Sequence, residues 1–236
     1  MKKFTSKLVK ITALNHDVFQ FDFTYPEDLD FLAGQFFMLE VPTPERKMTR
    51  SYSIESEPTN KEFFSLCVKL LEGGIGSEYL RKMNVGDEAG FMAPFGHFVI
   101  KDNGKDAILV ATGTGLAPFM SMLPTWFKAG ATQNITLYFG VRHQEDLFYV
   151  DELRAWEAAH PNFRAVITLS QPTEGWTGDT GRVTEHLDTL SFENSTVYIC
   201  GNGDMVKSVK DLLDSKGVAR EDICLEQFTP LPPRQA

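Results

Sequence analysis

Cysteine is scarce in this chain, and that scarcity closes off two kinds of chemistry. Cys67, Cys200 and Cys224 are the three thiols in 236 residues, an odd number without metal-ligand spacing, which excludes a disulfide framework and a structural zinc site. Three thiolates cannot assemble a four-cysteine iron–sulfur cluster within the chain, so any one-electron metal chemistry is expected in a partner. Long apolar runs are also missing. The opening MKKFTSKLVKITALN has positive residues without a continuous apolar stretch behind them, and no uninterrupted span elsewhere is long enough for a membrane helix, so a cytoplasmic protein without membrane insertion is expected. Clustered Lys and Arg are absent too. With a formal net charge of −9, the chain is not expected to bind nucleic acid or dock on membranes, both of which need cations grouped to meet phosphates. No fixed-period repeat occurs, and no compositional bias apart from the proline-containing tail PLPPRQA.

What is present is a globular composition, 42% hydrophobic and 23% charged, in a length that suits two domains. The chain changes character near residue 100. Before it, short β-rich pieces are separated by turn residues: KLVKITALN, VFQFDFTY, GQFFMLEV, TRSYSIES, FFSLCVKLL and AGFMAPFGHFVI. Their spacing predicts an antiparallel six-stranded β-barrel over 1–101. One helix, GSEYLRKM, is expected to interrupt it, with Ser77 as its N-cap. From 102 to 236, apolar β-branched runs alternate with helical stretches, beginning with AILVATG and LAPFMSMLPTWFKAG and closing on DICLEQF. Near-continuous hydrophobic strands between helices predict an α/β doubly wound parallel sheet covered on both faces.

Three stretches carry candidate chemistry. In MTRSYSIES, alternation puts Ser51 and Ser53 on one face of a strand and Arg50 and Tyr52 on the other, which suits either a solvated edge strand or a binding strand. In ILVATGTGLAPFMSML, an apolar strand ending at Thr112 runs through Gly113, Thr114 and Gly115 into a helix near Ala117 and Pro118. Glycines let a backbone approach phosphate, helix-start N–H groups face an anion, and proline loses nothing in the first turn. The spacing is not the GxGxxG fingerprint, and tight packing alone would also explain it. In STVYICGNGDMVKSVKDLL, a strand ends at Cys200 and Gly201, where ligands of open parallel sheets collect. A buried cysteine acting as a small hydrophobe fits the same position.

Taken in order, RSYS, GGIGS, GTGLAP, YICGNGDM and the closing EQF resemble the ferredoxin–NADP reductase-like flavoproteins, and the resemblance runs over essentially the whole chain. It implies a flavin-binding barrel, FAD in preference to FMN, followed by a domain for NAD(P)H. Arg50 and Ser51 would then lie at a flavin phosphate, Tyr52 against the isoalloxazine, and Ser53 at the ring nitrogen that receives the hydride. Gly74, Gly76 and Ser77 would form a second phosphate clamp, Val68 and Lys69 would present backbone groups to the flavin, and APFGHF would be the turn near its distal half. In the second domain Thr112, Gly113 and Gly115 would face the pyrophosphate. Thr114 and Cys200, with Gly201, Asn202 and Met205, would face the nicotinamide side, and Glu226 and Phe228 would stand close to the flavin.

The implied reaction takes a hydride from reduced nicotinamide onto FAD, with Ser53, Cys200 and Glu226 as the catalytic residues, and passes electrons to a separate ferredoxin, flavodoxin or oxygenase component. Two alternatives stand beside it: an enzyme that reduces free flavin as substrate, and a non-catalytic flavin- and nucleotide-binding subunit. At the ribose 2′ position the reading loop is Ser170, Gln171, Pro172, where plant-type relatives place an arginine beside the serine. Glutamine there favours NADH, while Arg142, Arg164 and Arg182 are further candidates to meet a 2′-phosphate.

Overall fold

Twelve strands and five helices make up a computed structural model that describes residues 2–44 and 47–228. The described residues divide into two units, one within Met1–Lys101 and Ala117–Ala131, the other within Asp102–Leu116 and Thr132–Ala236.

In the first unit, β1 (Lys2–Ala13), β2 (Val18–Thr24), β3 (Phe36–Pro42), β4 (Lys47–Ser53), β5 (Phe63–Lys69) and β6 (Glu88–Phe95) form one antiparallel sheet in the order β4-β3-β6-β1-β2-β5. Its edges meet at a single bridge, Ile54 to Leu66, just beyond β4 and within β5, so the sheet curls on itself. The inward positions are filled by rings: Phe23, Phe37, Phe64 and Phe91 are buried and pack mainly edge-to-face, the arrangement their quadrupoles favour. β1 begins five residues before the expected KLVKITALN because Phe4, Ser6 and Leu8 continue its inward alternation between exposed Lys3, Thr5 and Lys7.

Helix α1 (Ile75–Lys82) starts earlier than predicted. Ser77 is not its N-cap; Gly74 holds that position, and the Ser77 hydroxyl, buried in the first turn, accepts the Leu71 N–H at 2.9 Å instead. Gly73 at φ +68° makes the turn that allows this earlier start. Helix α2 (Ala117–Lys128) groups with this first unit: Phe119 meets Phe98 edge-to-face, and the Ser121 hydroxyl donates to Ser56 O at 2.7 Å.

The second unit is a parallel sheet. β7 (Asp106–Thr112), β8 (Ile135–Val141), β9 (Phe163–Leu169), the two-residue β10 (Asp179–Thr180), β11 (Ser195–Asn202) and β12 (Ile223–Phe228) lie in the order β10-β9-β8-β7-β11-β12. The chain leaves β7 toward β8 and returns on its other side with β11, so the topology switches between β7 and β11. Helices α3 (Val150–Ala159), α4 (Val183–Leu187) and α5 (Gly203–Ser215) complete the unit. Val206, Val209 and Leu213 of α5 and Val183 and Leu187 of α4 pack with Ile108, Val110, Val197 and Ile199 of the sheet. β10 and α4 were not foreseen.

Candidate active site

In the barrel unit the site begins on β4. Register with β3 sets Arg50 opposite Leu39 and Tyr52 opposite Phe37, two fully buried residues, so the pair turns toward the interior. Ser51 takes the other face and is exposed, while Ser53 on that face is buried. The solvated-strand reading does not survive this: Tyr52 packs against the barrel core. Burial pushes its pKa up to about 12 despite the opposing pull of the Arg50 cation, so the side chain stays a neutral phenol in ordinary buffers. Among the described residues the Arg50 guanidinium makes one hydrogen bond, Nη1 to Thr49 O at 2.7 Å, and no ion pair.

Gly76, 26 positions along the chain, sits directly on these two side chains. A Cβ placed there would overlap the Tyr52 hydroxyl and lie 3.1 Å from Arg50 Cγ. The bare first turn of α1 is therefore pressed against a cation and a phenol ring, with Gly76 and Ser77 buried. Backbone N–H groups of a helix start and an adjacent guanidinium are both suited to an anion. RSYS and GGIGS thus form one cradle. Val68 is buried and Lys69 exposed at the end of edge strand β5, and the lysine charge is occupied by Asp17, Nζ to Oδ2 at 2.7 Å.

The second unit gathers its candidates at the carboxyl ends of its strands. Past Thr112 the chain enters a 3₁₀ turn, Gly113–Leu116, with Gly113 at φ +53°. A Cβ on Gly115 would overlap the Cys200 carbonyl oxygen and lie 2.6 Å from its carbon, and one on Gly201 would overlap Thr112 Oγ1 and lie 2.8 Å from Met205 Cε. The two strand ends at the switch point therefore interlock through glycines. Asn202 bridges them: its Oδ1 caps α5 by accepting the Met205 N–H at 2.9 Å, and its Nδ2 donates to Thr112 Oγ1 at 3.3 Å.

Cys200 is fully buried, with Ala111 on one side of it and Glu226 on the other. Burial first, and the Glu226 charge second, raise its thiol well above the usual range, so it is a neutral packing group and no thiolate nucleophile. Phe228 pairs in register with Asn202, at the same edge as Glu226.

Adjacent strands bring Arg142, Ser170 and Gln171 together. Ser170 N–H donates to Val141 O at 3.1 Å and Gln171 N–H to Arg142 O at 2.9 Å. His143 Nδ1 meets Gln171 O at 2.8 Å, and Gln144 Oε1 accepts the Thr173 N–H at 3.0 Å. Sequence reasoning missed His143 and Gln144, whose partners lie 28 and 29 residues away and leave no local signal. Arg164 does not join this group. As the second residue of β9 it stands five positions before Leu169, roughly 16 Å along the strand from the carboxyl edge, so it is not a candidate for a 2′-phosphate there.

Cradle and composition fit a flavin nucleotide: Arg50 and the first turn of α1 for phosphate, and Tyr52 for an aromatic ring. Comparison with known proteins agrees. Residues 5–100 match the model of the oxidoreductase FAD-binding domain and residues 109–211 that of the oxidoreductase NAD-binding domain. Ferredoxin–NADP reductase B of Sorangium cellulosum is 36% identical over 238 residues, covering 95% of this chain and 97% of its own. The chain belongs to the ferredoxin–NADP reductase-like flavoproteins.

A second relative of this flavoprotein is the anthranilate 1,2-dioxygenase electron transfer component of Acinetobacter baylyi. It is 32% identical over 205 residues, covering 86% of this chain and 59% of the relative, so the chain spans well under two thirds of that protein. Among solved structures, a ferredoxin NADP+ reductase from Neisseria gonorrhoeae with bound FAD and NADP superposes with a TM-score of 0.87 at 26% identity, over 96% of this chain and 99% of the other. The flavoprotein's cofactors are FAD and NAD(P)H, matched by the strands β1 to β6 and by the segment from β7 into α5 respectively. Among its described residues no helix is long and apolar enough to cross a membrane.

Proposed function

We propose that this chain takes a hydride from NADH onto bound FAD and delivers the electrons to a separate acceptor protein, a ferredoxin, flavodoxin or oxygenase component. The flavin-binding unit would be 1–101 and the nucleotide-binding unit 102–236. The observation that carries the reading is the contact of Gly76 with Tyr52 and Arg50, because a helix start held against a cation and a neutral phenol has a use once a phosphate-bearing aromatic cofactor is present. The ferredoxin and oxygenase-component classes are supported by relatives named as ferredoxin–NADP reductase and as a dioxygenase electron transfer component.

Bound FAD supplies hydride acceptance and the release of electrons singly or in a pair. The chain supplies position. Arg50 and the amides of Gly76 and Ser77 hold phosphate, with Gly74 and Ser51 flanking them and Val68 and Lys69 contributing backbone groups. Tyr52 would offer its ring to the flavin, and Ser53 a hydroxyl. Thr112, Gly113, Thr114 and Gly115 form the dinucleotide's pyrophosphate and nicotinamide seat with Gly201, Asn202 and Met205. Cys200, Glu226 and Phe228 shape the nicotinamide side, the thiol by packing. Reacting atoms must approach to about 3–3.5 Å, so each of these residues acts by orientation.

NADH is preferred on the identity of Gln171, which brings no charge to the ribose 2′ position, and Arg142 beside it is the cation that any use of NADPH would depend on. Anaerobic titration of the purified protein with NADH and NADPH in separate runs tests the reading. Bleaching of a flavin absorbance that survives desalting, at lower NADH than NADPH, is the expected result. Flavin lost on desalting but turned over when added in excess would favour the free-flavin reductase, and failure to bind flavin at all would overturn both.

A further inference from the structure

A groove in the second unit lies away from the dinucleotide edge and is lined by Tyr138, Arg164, Val166, Asp179, His186 and Leu190, with Thr136 and Thr189 at its margin. Its floor comes from the amino-terminal halves of β8 and β9, where Thr136 pairs with Arg164 and Tyr138 with Val166. These four therefore share one face of the sheet. Its volume is about 310 Å³, at the lower end of the roughly 300–1,000 Å³ of small-molecule pockets.

Two polar groups in this groove, the Tyr138 hydroxyl and the exposed Arg164 guanidinium, have no partner among the described residues. The Tyr138 ring is buried, the residue being 8% exposed, while its hydroxyl opens to the groove and makes no hydrogen bond among the described residues. Burial raises its pKa, with Arg164 lowering it and Asp179 raising it, so it remains a proton donor. The Arg164 guanidinium forms no hydrogen bond or ion pair among the described residues, although Asp179 lines the same groove. His186 Nε2 lies 3.1 Å from Thr180 O and 3.0 Å from Thr168 Oγ1, whose own proton goes to Gly181 O at 2.8 Å. A carbonyl partner requires the proton on Nε2, so this ring is held by the fold.

We propose that this groove is a binding site for a small monocarboxylate with an apolar body. The guanidinium and the Tyr138 hydroxyl grip the carboxylate, and Val166, Leu190 and the Tyr138 ring flank the body. A planar fork suits a carboxylate, while the Asp179 carboxylate on the same rim opposes a dianion such as phosphate. The site is independent of the proposed electron route, since its floor is built from the strand ends opposite to those that carry the dinucleotide residues.

Calorimetric titration of the flavin-loaded protein at constant ionic strength, with benzoate, benzamide and inorganic phosphate as probes, tests it. Saturable benzoate binding is expected, at least tenfold weaker in Arg164→Gln and severalfold weaker in Tyr138→Phe, with benzamide and phosphate failing to saturate. Both variants should keep the parent melting temperature without ligand and the parent KM for NADH, which separates loss of the site from loss of the fold or of the enzyme. Equal affinity for benzoate and benzamide, benzoate binding indifferent to Arg164→Gln, or tighter binding of phosphate would each overturn the assignment.

Discussion

Gly115 and Cys200 meet backbone to backbone at the switch point of the parallel sheet, so closely that a Cβ on the glycine would lie 2.6 Å from the cysteine's carbonyl carbon. Neither partner is a flexible side-chain end, so nothing can swing away. Gly115→Ala is expected to destabilise the second unit by about 1–3 kcal/mol, the usual cost of overpacking, and to weaken NADH binding. Urea unfolding and NADH titration of the variant measure both effects. An unchanged midpoint would mean that the two strand ends separate easily.

The corresponding test in the barrel is Gly76→Ala. The added methyl displaces the Tyr52 hydroxyl and crowds Arg50, and FAD affinity should fall on the order of tenfold, about 1.4 kcal/mol. Flavin absorbance retained after gel filtration reads this directly. The sheet unit's affinity for NADH should be untouched, which distinguishes local damage from general misfolding.

Tyr52 gives a pH signature. Its phenol ionises near 10 in an unfolded chain and at about 12 when folded, so between those values the unfolded state has released a proton that the folded state keeps. Stability contributed by the neutral phenol is complete below pH 10 and is lost as pH rises toward 12. Tyr52→Phe cannot lose it. Urea midpoints at pH 9, 10 and 11 should therefore fall less steeply for the variant than for the parent, and parallel slopes would contradict the burial of this hydroxyl.

Donor choice is testable at the loop stitched to Arg142. Gln171→Arg adds a second cationic side chain next to Arg142, whose main-chain carbonyl accepts the Gln171 N–H. A charge-assisted bond to phosphate is worth about 1.5–3 kcal/mol, so kcat/KM for NADPH should rise tenfold or more while that for NADH changes little. Arg142→Ala should lower the NADPH value selectively.

The strands of both units were legible because each depends on a local pattern: alternation around the phenylalanines of the barrel, and apolar β-branched runs in the sheet. The α1 boundary was misjudged because Ser77 has the chemistry of a cap while Gly73 and Gly74 have the geometry that sets the start. β10 and α4, two and five residues long, are too short to show a period. Helix α2 was legible as a helix, but its packing with Phe98 and Ser56 is a tertiary fact that its own pattern cannot contain. The same holds for the site. Individual motifs were visible, whereas the seating of Gly76 on Tyr52 and of Gln171 on Arg142 depends on segments that only folding brings together.

Ile54, whose bridge to Leu66 joins the first and last strands of the curled sheet, follows Arg50, Tyr52 and Ser53 without a break. The seam of the barrel is thus sewn by the same thread that would grip the flavin. Loading the cofactor should fasten that seam by mass action, and in protein stripped of flavin the amides of Ile54 and Glu55 should be the first in the barrel to exchange with deuterium.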